Sequence, residues 1–154
     1  MDRLKIAVLL VGYNCAENLV EVLCPLIRCK FGIKDDIGCT IIPAPNDIEV
    51  KICCVSALFK EYADLGFKYD NEKTVKLFKT YEESHAIDKF IEITEPILDY
   101  QARDLGLQWL KQWDFDYLWQ WDCDELGEYN QIINAINWIK RNNLYSFYRI
   151  NYKN

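Results

Sequence analysis

The feature that most constrains the fold is the alternation of short apolar runs with segments whose apolar residues recur at helical spacing. Residues 4–13, LKIAVLLVGY, form an unbroken run rich in Ile, Val and Leu, which is typical of a strand buried on both faces. Further strands are predicted at residues 50–56, 89–93, 116–121 and 145–152. Because helical segments separate these strands, the sequence predicts an α/β fold with a mostly parallel sheet flanked by helices.

Helices are predicted in four segments of the chain. The first begins at Ala16, and Pro25 is expected to shorten or kink it. The other three are predicted at residues 72–81, 98–109 and 132–139. Residues 30–49 contain two of the Gly and two of the Pro residues and are expected to be irregular, while residues 57–72 are expected to form a long loop with some helix.

Length and composition restrict the class of protein. A chain of 154 residues is the size of one domain, so we treat residues 1–154 as a single domain. The formal net charge of -6 argues against a broad footprint on nucleic acid. The N-terminal apolar run is too short for a membrane helix and lacks a signal-peptide cleavage site. We therefore expect a cytoplasmic protein without a transmembrane segment.

Polar residues follow two of the predicted strands at the point where each strand ends. Gly12, Tyr13 and Asn14 come at the end of the first strand, and the acidic stretch Asp122-Cys123-Asp124-Glu125 follows the strand at 116–121. In open α/β sheets, ligands bind outside the carboxyl ends of the parallel strands. The sequence therefore predicts a ligand site that includes both segments.

Two aspartates separated by one residue can supply hard oxygen ligands at one point. Mg²⁺ or Mn²⁺ takes one or two such carboxylates and completes its coordination with substrate phosphates and water. Asp122 and Asp124 are therefore candidate metal ligands. The alternative is that both are ordinary solvent-facing turn residues, since acids commonly follow strands.

Other ligand-binding motifs are excluded by the residues present. A calcium-binding EF-hand loop starting at Asp122 would have Leu126 and Ile133 at positions that need oxygen ligands. The sequence contains neither the GxxxxGK[ST] phosphate loop nor the GxGxxG dinucleotide fingerprint. Seven cysteines and one histidine form no short-spaced set of four ligands, which excludes a usual structural zinc site.

Three segments in order give the chain a resemblance to a known family. They are LKIAVLLVGYNCAENL at residues 4–19, YQARDLGLQWL at residues 100–110 and DFDYLWQWDCDEL at residues 114–126. Together they resemble the donor-binding part of a family 2 glycosyltransferase with the GT-A fold, which has a Tyr-Asn turn, an Ala-Arg-Asn-like helix and an Asp-x-Asp strand. The resemblance spans nearly the whole chain and implies a Rossmann-like sheet that binds a nucleotide sugar.

The resemblance implies a role for each matching residue. The turn at Gly12, with Tyr13 and Asn14, would lie beside the nucleotide base, and Tyr13 is a candidate to pack on it. Arg103 would lie near the base or the diphosphate. Asp122 would contact the ribose or the metal ion, and Asp124 would be the principal metal ligand.

Two positions depart from the family pattern. The family usually carries an acidic residue at the end of the second strand, where it reads the base, and Ser56 stands at that position here. Ser56 is therefore included among the expected nucleotide contacts. Asp104 stands where the family more often has Asn. Glu125 fits the members with an extra acid after the Asp-x-Asp.

The function implied by the resemblance is transfer of a sugar from a nucleoside-diphosphate sugar, most directly a UDP-sugar, to an acceptor. The acceptor would be a glycan, a lipid or a protein. The metal ion would be Mn²⁺ or Mg²⁺, and the transfer would invert the configuration of the anomeric carbon. In inverting members the catalytic base follows the Asp-x-Asp segment, yet no Asp or Glu follows Glu128 here. We therefore assign no base and expect a truncated or reduced form of the family.

The alternative from a different class is a non-catalytic remnant that binds a nucleotide or a partner protein. Such a module could form homo-oligomers through the surface that the acceptor-side part would otherwise cover. A sugar-nucleotide pyrophosphorylase is a third reading, but its glycine-rich, Arg-containing N-terminal loop is not matched by LLVGYNCAEN.

Overall fold

The computed structural model describes residues 3–34, 40–68 and 70–142. The elements in chain order are β1 (Leu4–Gly12), α1 (Ala16–Phe31), β2 (Ile33–Lys34), β3 (Thr40–Ile42), β4 (Ile48–Phe59), α2 (Lys60–Asp64), α3 (Glu72–Glu83), β5 (Lys89–Ile97), α4 (Asp99–Leu110), β6 (Tyr117–Asp122) and α5 (Tyr129–Asn142). The strand predicted at 145–152 lies outside the described residues.

Four of the strands form one parallel sheet in the order β5-β4-β1-β6. The predicted α/β class with a parallel sheet is therefore confirmed. The chain adds strands on one side of β1 through β4 and β5, and then crosses to the other side to place β6. The strand order thus reverses between β1 and β6, which is the position where open α/β sheets bind ligands. Strands β2 and β3 form a separate antiparallel pair.

The apolar core lies on both faces of the sheet because the side chains of β1 alternate between them. Ile6, Val8 and Leu10 belong to the larger cluster, which also contains buried residues of α1, α3 and α5. Ala7 and Leu9 belong to the second cluster, which contains buried residues of α4. The unbroken apolar run of β1 is thus explained by helices that cover both of its faces.

Gly106 allows α4 to lie close to the sheet. A Cβ at this position would be 2.3 Å from Cδ1 of Leu9 and 2.9 Å from Cγ2 of Val55. The helix can therefore approach β1 and β4 only because this residue has no side chain. The close packing fixes the position of Arg103, which lies one turn earlier on the same helix.

Several elements differ from the sequence-based expectation. Strands β2 and β3 pair within residues 30–49, which were expected to be irregular. Helix α1 is not shortened at Pro25 but continues to Phe31, because apolar residues on either side of the proline are buried in the core. Strand β4 continues to Phe59, since it pairs with β5 beyond the predicted end of both strands. The short helix α2 then follows within residues 57–72, where a long loop with some helix was expected.

None of the helices in the described part of the chain combines the length and the apolar character that a bilayer crossing requires.

Candidate functional site

A cleft of about 640 Å³ opens at the carboxyl ends of β1 and β6, where the strand order reverses. It is lined by Val11, Gly12, Tyr13, Asn14, Cys15, Asn18, Phe59, Glu61, Tyr62, Asp99, Arg103, Asp122, Cys123 and Asp124. All predicted site residues except Ser56 are in this set. The structure therefore brings together three segments that the sequence separates widely.

Gly12 permits the ends of β1 and β6 to lie against each other. A Cβ at Gly12 would be 1.9 Å from Sγ of Cys123 and 2.8 Å from Sγ of Cys15, distances that no side chain could occupy. The backbone N–H of Cys123 donates to the carbonyl of Val11 at 3.2 Å. The absence of a side chain at Gly12 therefore allows the close approach of Cys15 and Cys123 at this end of the cleft.

Cys123 points into the core and not into solvent, as strand alternation predicts. Its side chain is buried and shares a hydrogen bond with the thiol of Cys15. This bond raises the pKa of Cys123, an effect that burial strengthens, and it lowers the pKa of Cys15. Burial raises the pKa of the core thiol Cys29 to about 12, and it is the largest cause of the rise of the Cys53 pKa to about 12. Cys29, Cys53 and Cys123 are therefore neutral core residues at physiological pH.

The turn after β1 places Tyr13 and Asn14 on the cleft wall. The hydroxyl of Tyr13 donates to the carbonyl of Lys68 at 2.5 Å, which fixes the end of its ring. Asn14 has a φ of 47°, in the left-handed region that Asn tolerates better than most residues. Its side chain is exposed toward the cleft.

Ser56 does not line the cleft. It lies within β4, three residues before the end of the strand and beside Gly12 in the sheet register, and its side chain is fully buried. The amide nitrogen of Asn71 donates to its hydroxyl oxygen. Ser56 therefore has a protein partner, and its expected contact with a nucleotide stays a prediction.

Arg103 lies between two carboxylates on the opposite side of the cleft. Its Nε donates to both oxygens of Asp99 at 3.0 and 2.9 Å, and its Nη2 donates to Oδ1 of Asp122 at 2.8 Å. Burial would lower the pKa of Arg103, but the hydrogen bonds and charges of Asp99 and Asp122 outweigh it and raise the pKa. The guanidinium therefore stays charged and has a fixed direction.

Asp99 is a cleft residue that the sequence analysis did not single out as part of a site. Its carboxylate is 46% exposed and accepts from Arg103 four residues later on the same helix. The signal that could have identified it is this acid-to-arginine spacing of four, which places two side chains together on a helix surface.

The three acids at the end of β6 and directly after it have different surroundings. The carboxylate of Glu125 accepts a hydrogen bond from the backbone N–H of Asp122 at 3.1 Å. The backbone carbonyl of Glu125 accepts one from the indole N–H of Trp121 at 2.6 Å. Asp122 is paired with Arg103. Asp124 is exposed in the cleft and has no hydrogen bond or ion pair with any other described residue. Asp124 is therefore the acid whose oxygens are available to a ligand.

A complete protein cage for a metal ion is not present among residues 3–34, 40–68 and 70–142, where no three His, Cys, Asp or Glu side chains converge. A cage is not what Mg²⁺ needs, since it commonly takes one or two carboxylates together with substrate phosphates and water. Asp124, and the oxygen of Asp122 that Arg103 does not contact, match that smaller donor set. The residues present fit an ion shared with a phosphate ligand.

The wall formed by β4 and α2 was missed by the sequence analysis. Phe59 and Tyr62 line the cleft with ring centroids 6.1 Å apart, and Glu61 lies between them in the sequence. Their only sequence signal is their position after a strand, because residues 57–72 lack a clear periodicity.

Comparison with known proteins finds likeness in structure but not in sequence. No family model matches the sequence, and no curated protein does. Among solved structures, S. aureus TarS 1-349 has a TM-score of 0.56 at 15% identity, with 91% of this chain and 33% of that chain covered.

Structures of TarS 1-349 in complex with UDP and with UDP-GlcNAc each give a TM-score of 0.55 at 14% identity. They cover 91% of this chain, and 33% and 32% of those chains. At these identities the likeness shows a shared fold. The chain spans about one third of the length of these TarS chains.

Proposed function

We propose that this chain binds a nucleoside-diphosphate sugar, most directly a UDP-sugar, and serves as the donor-binding part of a glycosyltransferase. The observation that carries the proposal is the convergence of the Tyr13-Asn14 turn, Arg103 and Asp124 in one cleft at the reversal of strand order. The fold is shared with TarS, which has been crystallised with UDP-GlcNAc, and this supports the choice of ligand.

Arg103 is suited to bind the diphosphate without losing its present partners. A guanidinium has five N–H donors, and the hydrogen bonds to Asp99 and Asp122 use one on Nε and one on Nη2. The other three N–H donors of Arg103 have no partner among the described residues and are left for phosphate oxygens. The two carboxylates hold the guanidinium in place, so less conformational freedom is lost when an anion binds.

Asp124, together with Asp122, would hold Mn²⁺ or Mg²⁺. When bound, such an ion neutralises negative charge that develops on a departing diphosphate. Asp124 is exposed and unpaired within the described residues, so its oxygens can reach an ion without breaking a protein contact.

The proposed reaction is a direct displacement with inversion at the anomeric carbon. The hydroxyl oxygen of a glycan, lipid or protein acceptor forms the new bond as the bond to the diphosphate breaks. We assign no residue to the removal of the acceptor proton. A cytoplasmic location and a homo-oligomer remain predictions as well.

The test is calorimetric titration with UDP in the presence and absence of Mn²⁺. Asp124→Asn preserves the shape of the side chain but removes the charge, and it is expected to abolish the Mn²⁺-dependent part of binding. Glu128→Gln is the matched control, because Glu128 is an exposed acid near the same strand that does not line the cleft. Equal binding by wild type, Asp124→Asn and protein in EDTA would contradict the metal assignment.

A module that binds the donor but transfers nothing is the second candidate, because the described cleft offers groups that could hold a donor while none of them is assigned to the removal of the acceptor proton. Hydrolysis or transfer of a labelled UDP-sugar separates the two candidates. Release of labelled sugar that depends on Asp124 supports the transferase, whereas tight binding without release supports the module.

A further inference from the structure

Buried polar side chains are concentrated at one place in the molecule. Within the described residues, the buried polar side chains are Ser56, Asn71 and Thr74, which are 0%, 2% and 0% exposed. Burial of a polar group is unfavourable unless a hydrogen bond replaces its contacts with water. The hydrogen-bond partners of these three side chains therefore indicate their structural role.

All three residues belong to one network that holds the turn after β1. Oδ1 of Asn71 accepts from the backbone N–H of Asn14 at 2.7 Å, and Oγ1 of Thr74 accepts from the backbone N–H of Cys15 at 3.0 Å. The amide nitrogen of Asn71 donates to Ser56. Two successive N–H groups of the turn are thus bound by side chains from the start of α3, more than fifty residues away.

Asn71 makes these bonds in place of a common local one. It occupies the position immediately before α3, where an Asn side chain usually accepts from a backbone N–H of the first helical turn. Its side chain makes no such capping bond here. The side chain is directed instead to Asn14 and Ser56, so its contribution is made to the cleft wall and not to its own helix.

The turn that this network holds has an unfavourable backbone conformation. Asn14 has a φ of 47°, which costs an L-residue free energy and persists only where the surroundings impose it. The bond from Asn14 to Asn71 supplies such a constraint. Tyr13, on the same turn, is fixed by its bond to Lys68, which lies shortly before Asn71.

We infer that Asn71 and Thr74 are positioning residues for nucleotide binding: they hold the Asn14-Cys15 backbone so that Tyr13 and Asn14 face a nucleoside diphosphate before it arrives. Neither residue lines the cleft, so each acts through the turn. The inference rests on the proposed function and deepens it. A pre-formed turn raises affinity because fewer groups must be ordered when the ligand binds.

The test compares two substitutions at Thr74 with a control on the same helix. Thr74→Val keeps the shape but removes the acceptor of Cys15, and UDP affinity in Mn²⁺ is expected to fall by about tenfold. Thr74→Ser retains the hydroxyl and is expected to stay within about twofold of wild type. Val75→Ala removes buried apolar volume from α3 but none of the side-chain hydrogen bonds of the network, so it is expected to lower the unfolding midpoint and leave UDP affinity unchanged.

Hydrogen exchange of the backbone amides provides the second readout. In Thr74→Val the amide of Cys15 is expected to exchange faster, whereas in Val75→Ala it is not, once exchange is compared at equal global stability. Asn71→Ala, which removes the acceptor of Asn14, is an independent second variant in case Thr74→Val does not fold, and it is expected to weaken UDP binding similarly.

The outcomes separate this inference from the function on which it rests. Failure of the wild-type protein to bind UDP overturns the proposed function and the nucleotide role of Asn71 and Thr74 together. Binding of UDP with equal affinity by wild type, Thr74→Val and Asn71→Ala overturns the inference alone and leaves the proposed function in place.

Discussion

The two sides of the cleft are built in different ways. The Asn14-Cys15 side is held by neutral hydrogen bonds that its backbone N–H groups donate to the buried side chains of Asn71 and Thr74. The other side is held by partly exposed charges, since Arg103 lies between Asp99 and Asp122. A partly exposed charged group can also contact an arriving anion or cation while it keeps its protein partners. The Asn14-Cys15 side is therefore pre-formed, and the Arg103 side presents charges that a ligand can contact.

The largest expected effect is on the pre-formed side. Gly12→Ala would place a Cβ 1.9 Å from the sulfur of Cys123. We expect this overpacking to lower the free energy of unfolding by about 3 kcal/mol, measured by urea denaturation. Gly66→Ala is the control, because a Cβ there has open space and only the φ of 89° opposes it, at a cost of about 1 kcal/mol. Equal losses for the two variants would mean that Gly12 does not set a tight contact.

A smaller effect on stability but a clear effect on binding is expected at Arg103. Arg103→Lys keeps the positive charge but cannot contact Asp99, Asp122 and a phosphate through one planar group. UDP affinity is expected to fall by about tenfold, while the free energy of unfolding changes by less than about 1 kcal/mol, because the pair is partly exposed. Calorimetry and urea denaturation measure the two quantities. Unchanged UDP affinity would remove Arg103 from the binding site.

The smallest effect on the free energy of unfolding is expected at an ion pair that does not line the cleft. It shows how much a mostly exposed charge contributes to stability. Lys140 on α5 contacts Asp47 at 2.5 Å, and this hydrogen bond lowers the pKa of Asp47 below 3.8. The pair therefore stabilises the fold above that pH, and its contribution is lost as the pH falls through the lowered pKa.

Asp47→Asn is expected to cost about 0.5 kcal/mol near neutral pH, since the aspartate is mostly exposed. The difference from wild type is expected to disappear in acid, where the protonated Asp47 of wild type is uncharged like the asparagine of the variant. Urea denaturation at the two pH values measures it. A difference that persists in acid would show that the charge is not what stabilises this contact.

The sheet was predictable where the apolar pattern reports burial on both faces. Residues 4–13 were predicted as a strand and β1 runs from Leu4 to Gly12, because helices cover both of its faces. The end of β5 was missed, since Glu95 and its neighbours are exposed and give no apolar signal, and Pro96 is tolerated because β5 is an edge strand.

The site was predictable as far as strand ends and the family resemblance identify it. Tyr13, Arg103 and Asp124 follow local motifs and lie in the cleft. The network of Asn71 with Asn14 joins residues 57 positions apart, and no local pattern predicts such a pairing. The burial of Ser56 was also not predictable, because β4 continues past the end predicted for this strand and the burial of a strand side chain depends on what packs over it.

The central claim is that a divalent ion and a nucleoside diphosphate bind together between Asp124 and Arg103. A crystal structure of the protein grown with UDP and Mn²⁺ tests it most directly, because the anomalous signal of manganese locates the ion. We expect manganese in direct contact with the Asp124 carboxylate and with diphosphate oxygens, and Arg103 within hydrogen-bond distance of the diphosphate. Manganese elsewhere, or UDP bound outside this cleft, would contradict it.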